Sequence, residues 1–335
     1  MKLGNASDLA RLQMLQRNAF TTRSAMDVAS VEMTSGEKQD RFEATGGNLT
    51  RLFALERSLA RNQVFADSAS LSEMRLDIMQ EGFGRLLAPV EGLAVDLATA
   101  TGVSDVSAGK LHAATARRAI VDAVSVLNTR VAGQSLFAGA ATDGPALASA
   151  TNLPADLDAL AAGAATAADA VAAIEAYFAP GGDFHTQGYV GSAASLTPVE
   201  IGEGARLDYA VRGDDPEIVA TLRAHALAAV VAGGAFAGDP DGQMELLTAS
   251  GQRMLEARED VLALRARVGV SQNVVERAQA ERTSERDALK LARAGIVATD
   301  PLEAASTYQQ LQVQLEAIYT VTSRLTDLRF TNFMR

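Results

Sequence analysis

Acid–base or metal chemistry near neutral pH would draw first on imidazole or thiolate, and this 335-residue chain has three histidines and no cysteine. His112, His185 and His225 stand alone. None has a second histidine four residues away on a helix, and none sits beside clustered carboxylates, so each reads as a surface or packing residue. Without cysteine there is no disulfide framework, thiolate metal site or sulfur nucleophile. The remaining motifs are equally poor. Gly202-Glu203-Gly204-Ala205-Arg206-Leu207 begins like a dinucleotide loop but lacks the third glycine and opens no helix, so it reads as a turn between strands. Asp239-Pro240-Asp241-Gly242 resembles half a calcium loop without its closing glutamate and is better explained as a helix cap. Asn48-Leu49-Thr50 fits a glycosylation pattern and equally a helix start. No P-loop, nucleophile elbow or zinc-protease motif occurs. The sequence points to no enzyme, no cofactor and no bound metal.

Composition narrows the class further. The net charge is −11, from 41 acidic and 30 basic residues, which disfavours a nucleic-acid partner. It also supplies no basic face for a membrane. Hydrophobic residues make up 48% and aromatic ones 5%, with no tryptophan. That mixture suits long helices packed through small side chains. The first residues lack the apolar stretch of a secretory signal, and no segment approaches 18 uncharged apolar residues. Secretion, if it occurs, is expected without a cleaved signal peptide.

Proline placement organises the chain. Six of the eight prolines lie between Pro145 and Pro240; Pro89 and Pro301 are the others. Long helices are therefore expected in both flanks and not in the centre. In the N-terminal flank, Leu12, Leu15, Ala19, Thr22, Met26, Ala29 and Met33 alternate in steps of three and four, the mark of a heptad seam. Asn5, Ser7 or Asp8 would cap this helix and Gly36 would end it. A polar loop with Gly46 and Gly47 follows. A second helix runs from about Leu49 towards Leu97, with Leu52, Leu55, Leu59, Leu71, Met74 and Ile78 on one side and an interruption at Pro89. A third carries Ile120, Val124, Leu127 and Val131. In the C-terminal flank a long helix follows Asp239–Gly242 and ends near Gly295. Asp300, Pro301 and Glu303 then restart a last helix, whose seam is Tyr308, Leu311, Leu315, Ile318, Thr322 and Leu325, continued by Leu328.

The expected fold is mainly α: a long helical hairpin or coiled-coil scaffold built from both termini, with a small α+β insert. The expected domains are residues 1–45 with 300–335 (terminal coiled coil), 46–139 with 241–299 (helical) and 140–240 (insert). In the insert, 156–179 reads as one Ala-rich helix, 189–191, 199–201 and 207–211 as short strands, and 214–231 as a helix. The two terminal seams are expected to pair. Phe20, Val28, Val31, Tyr319, Phe330 and Phe333 lie off them and suggest burial against neighbouring copies. An antiparallel bundle that hides every apolar side chain internally fits the same periodicity.

Three segments resemble the flagellin and flagellar hook-associated protein family. Residues 1–100 are similar to its opening helix and the start of its second. Asn128–Pro145 contains a Gly-x-x-Leu-Phe-x-Gly turn in Gly133, Leu136, Phe137 and Gly139. Asp300–Arg335, with Tyr308-Gln309-Gln310-Leu311-Gln312 and the closing Leu328-Arg329-Phe330-Thr331-Asn332-Phe333-Met334-Arg335, is similar to the terminal helix. The resemblance implies a non-enzymatic structural subunit of the extracellular flagellum, exported unfolded through the flagellar channel and assembled through its terminal helices. Implied partners are other copies of itself, the first hook-associated junction protein, flagellin and a flagellar export chaperone, with no nucleic acid or membrane. The Asn-x-x-x-Asp-Asp pattern usual in flagellins is missing at 40–48, which favours a subunit joining hook to filament. Two alternatives are a flagellin-type filament subunit and a helical adaptor or signalling protein.

Overall fold

A computed structural model describes residues 3–149 and 152–333, and the side chains of 10–149 and 152–325. The chain runs α1 (Leu3–Ser35), α2 (Arg41–Ala44), α3 (Thr50–Gly102), α4 (Val106–Leu127), β1 (Arg130–Val131), β2 (Gln134–Ser135), α5 (Asn152–Gly163) and α6 (Ala167–Phe178). It continues through a π-turn at Phe184–Gly188, β3 (Val199–Gly202), β4 (Ala205–Leu207), α7 (Pro216–Ala232), α8 (Pro240–Val297) and α9 (Pro301–Phe333). The fold is mainly α. Its strands form two antiparallel two-stranded hairpins, β1–β2 and β3–β4. The chain packs as two compact units: one takes the chain up to Gln63 and again from Thr283, and the other is Val64–Arg282.

The Val64–Arg282 unit has a continuous apolar core. Leu76, Met79, Phe83, Leu86 and Val90 of α3 recur at steps of three and four and are all buried, as an amphipathic helix requires. Between Ile218 and Val231, α7 is buried on every side and packs on α4. Alanines permit this: Ala113, Ala116 and Ala123 of α4 and Ala224 and Ala228 of α7 are all buried, and small side chains bring backbones close. At Gly109 a Cβ would come within 2.5 Å of the flexible Leu247 side chain of α8, which would have to shift. Residues of the expected insert, including Leu157, Ile174, Phe184 and Ile201, belong to this same core.

Several expectations need correction. α3 runs uninterrupted through Pro89. Proline forfeits one backbone hydrogen bond, and the buried Leu86, Leu87, Val90 and Leu93 around it hold the helix regardless. Later in α3 the buried stripe is Ser72, Leu76 and Met79, leaving Leu71 37% and Met74 49% exposed. Both stripes are apolar there, and packing on the core selects one. The segment expected as one helix over 156–179 is two, because Thr166 caps α6 in a capping box with Asp169, a local signal that competes with alanine propensity. Tyr189 makes only an isolated bridge to Leu147, and residues 208–211 lie beyond β4. Val131 sits in β1, past the end of α4. Gly295 lies inside α8, and the proposed caps Asn5, Ser7 and Asp8 lie inside α1.

Candidate functional site

The unit formed by the two chain ends is where the seams meet. Antiparallel α1 and α9 pack on one another. Leu12, Leu15, Ala19 and Met26 are half-buried, and Thr22 and Ala29 are buried. On α9, Tyr308, Leu311, Leu315, Ile318, Thr322 and Leu325 are half-buried, while every other residue from 309 to 324 is exposed. Met33 is 39% exposed, because the position level with it falls at the first turn of α9. Leu328, Phe330 and Phe333 lie outside the residues whose side chains are described. Ala304 is buried and extends the α9 stripe by one position, at the same four-residue step that could have revealed it.

The opposite face of α1 is also apolar, and it is bare. Met14 is 64% exposed, Phe20 78%, Val28 38% and Val31 45%. At about 100° per residue these four centre about 180° from the seam. A helix with two opposed apolar faces and one partner leaves the second face in water, which is unfavourable by about 25 cal/mol per Å². α9 adds Leu302 at 78% and Val313 at 66%, also on the side away from its seam, and Tyr319 at 52%. Monomeric proteins expose single apolar residues routinely; a stripe along a helix marks an interaction surface.

Each of the three histidines has a polar neighbour of its own. His112 Nδ1 lies 3.5 Å from an Asp96 carboxylate, and His185 Nδ1 lies 4.0 Å from Asp214. His225 is fully buried in α7 with Nδ1 2.8 Å from the Thr221 carbonyl. A carbonyl only accepts, so Nδ1 carries the proton, and Nε2 is left without a partner. Burial pushes the His225 pKa down. A cleft of 560 Å³ beside His185 is lined by Phe178, Pro180, Asp214, Arg223 and Asp260. Among the described residues no cluster of histidines and carboxylates could hold a metal ion. The three motif readings are structural in fact: Glu203-Gly204 turns the β3–β4 hairpin, the Asp239 carboxylate accepts from Gly242 N–H at the start of α8, and Asn48 accepts from Thr50 N–H at the start of α3.

Residues 252–334, which take in most of α8 and all of α9, match the family described as the bacterial flagellin C-terminal helical region. The last quarter of the chain is thus similar to the C-terminal helices of bacterial flagellin. The chain's fold is shared with solved hook-associated proteins. The FlgL protein of Bacillus cereus superposes with a TM-score of 0.50 at 13% identity, over 72% of this chain and 100% of that one. A putative flagellar hook-associated protein of Vibrio parahaemolyticus gives 0.51 at 11% identity, over 73% and 95%. No curated protein matches the chain in sequence.

In this chain the Gly-x-x-Leu-Phe-x-Gly segment is a tightly fixed turn. Ala132 and Gly133 both have positive φ, 50° and 82°, as a two-residue turn between β1 and β2 requires. Leu136 and Phe137 then enter the core, where Phe137 meets Phe83 edge-to-face at 5.9 Å. Gly139 has φ +59°, and a Cβ there would come within 2.5 Å of the Ser192 carbonyl and 2.6 Å of that of Ala194. The neighbouring backbone is stapled by Ser192 N–H to Ala138 O and Gly213 N–H to Phe137 O. The conformation therefore excludes every other residue at 139.

Gly139→Ala is expected to destabilise the Val64–Arg282 unit by about 2–4 kcal/mol through strain and displaced carbonyls, read as a lower urea midpoint by circular dichroism. His225 gives a pH dependence of defined sign. Its folded pKa is depressed, so its contribution is fully present above the ordinary histidine value and is lost as pH falls below it towards the folded pKa. Between pH 7.5 and 5, the urea midpoint should fall further in the wild type than in His225→Leu, which cannot take up the proton.

Proposed function

We propose that this chain joins hook to filament as a non-enzymatic junction subunit, lying outside the cell and assembled through its terminal helices. The observation that carries this reading is the pair of opposed apolar faces on α1, one covered by α9 and the other bare. Copies stacking side by side would bury Met14, Phe20, Val28 and Val31, together with the outward residues of α9, while the seams hold each hairpin together. The seam residues Leu12 to Met33 and Tyr308 to Leu328 thus act as the scaffold of the assembly domain, 1–45 with 300–335. The helical part, 46–139 with 241–299, and the insert, 140–240, form the rest of the subunit. The fold shared with hook-associated proteins over the whole length of FlgL favours a junction subunit. Direct partners are then further copies, the first hook-associated junction protein below and flagellin above.

Unfolded export with the help of a chaperone is consistent with a cysteine-free chain of net charge −11 and with the absence, among the described residues, of any helix long and apolar enough to cross a membrane. A flagellin-type filament subunit is the second reading, favoured by the family match at 252–334. Added to filament ends, purified protein should form a thin layer that stops; continued elongation would favour the second reading. Cells lacking the gene should export flagellin into the medium and build no filament, and normal filaments in those cells would overturn the proposal.

Phe20→Asp places a charge on the bare face. It should leave the melting of the Val64–Arg282 core unchanged and weaken assembly at least about tenfold, the loss of one buried aromatic side chain, measured by sedimentation of assembled against soluble protein.

A further inference from the structure

A heptad seam does not choose its own register. Sliding α9 by seven residues along α1 would set Ala29 against Leu311 and Leu15 against Leu325, again apolar on apolar. No seam position carries a charge or an asparagine of the kind that specifies register in coiled coils. Something beyond the seam must fix the pairing.

The fixing point lies where both terminal helices are tied to the rest of their unit. Glu37 bridges Ala298 in antiparallel register. Lys38 N–H donates to Val297 O at 2.8 Å, and Thr299 N–H donates to Gly36 O at 3.0 Å. Gly36 takes φ +69° to turn out of α1, a conformation glycine adopts without steric cost. Over this bridge the Arg293 guanidinium holds the Glu37 carboxylate with two hydrogen bonds, 2.5 and 2.8 Å, and lies 3.8 Å from Glu56. Carried along the helices, this pairing sets Ala29 level with Ala304, both only 4% exposed, to within about one turn. The smallest seam residues thus sit next to the bridge.

We propose that the Arg293–Glu37 ion pair over the 36–38/297–299 bridge is a register lock for the α1–α9 hairpin, with Arg293 and Glu37 as positioning residues. Its consequence for assembly rests on the junction reading: the lock sets Phe20 level with Val313, and a one-heptad slip would move them apart by about 10 Å. A planar bidentate pair suits this task, because it fixes direction as well as distance. The register itself does not depend on that reading.

The cysteine-free chain allows a direct test. One variant carries Ala29→Cys with Ala304→Cys, the matched pair; another carries Ala29→Cys with Leu311→Cys, shifted by a heptad. Intrachain disulfide yields are measured in dilute full-length protein under mild oxidant, with core melting as the folding control. In the intact chain the matched pair should form in at least about tenfold excess, and adding Glu37→Gln and Arg293→Gln should cut that excess to about twofold, a roughly fivefold loss of the size expected for one partly exposed ion pair. Arg293→Lys, which keeps charge without the planar fork, should fall between. No preference in the intact chain, or an unchanged preference without the ion pair, overturns the lock. A failed deletion phenotype would strike the junction reading alone and leave these yields untouched.

Discussion

One helix has more apolar surface than its own chain covers. α1 presents a seam to α9 and, on the reverse, Phe20 at 78% exposure with Met14, Val28 and Val31 beside it. Hydrophobic burial is the dominant favourable term in folding and association, so a stripe of this kind on a long helix represents free energy that folding alone does not collect. The two units differ in how their helices are covered. In Val64–Arg282, α7 is enclosed on all sides and glycine and alanine bring helices into close packing. In the unit of the chain ends, every α9 residue from 309 to 324 outside the seam faces solvent. The larger unit also leaves apolar side chains such as Val103 and Leu111 exposed, but it holds a continuous core of its own.

For the proposed assembly, the bare face of α1 is also a source of specificity. Recognition by a repeating assembly depends on where apolar side chains stand along a helix, and that depends on register. The turn at Gly36, the backbone bridge to 297–299 and the Arg293 fork gather at one place, so the alignment of the whole hairpin is decided by few bonds. The Gly133–Gly139 turn acts similarly inside the larger unit, where positive φ and close carbonyls leave the chain one path from α4 into the segment beyond.

Much of this is legible in the sequence because it is periodic. The α9 seam from Tyr308 to Leu325 coincides with the half-buried positions, and Asp300 caps that helix as its Asp-Pro signal suggests, accepting from Leu302 N–H at 2.8 Å. Legibility fails where two local preferences compete. Pro89 argues for a break, yet the apolar residues around it bury deeply enough to carry the helix through. Leu71 and Met74 make as plausible a core stripe as Leu76 and Met79, and only the packing of the larger unit separates them. The Arg293–Glu37 pair leaves no trace in the sequence, since residues 256 positions apart share no local pattern. Nor does the short α2, whose Asp40 cap lies in a stretch that reads as a polar loop.

The most direct measurement is the reactivity of a single reporter on the bare face of α1. Val28→Cys introduces the chain's sole thiol at a position 38% exposed, with little change in size. Ready modification by a maleimide is expected in soluble protein, and strong protection once the protein is assembled on hook or filament ends. Equal modification in both states would contradict the assembly role of α1, because its second apolar face would then remain in water where neighbouring copies should cover it.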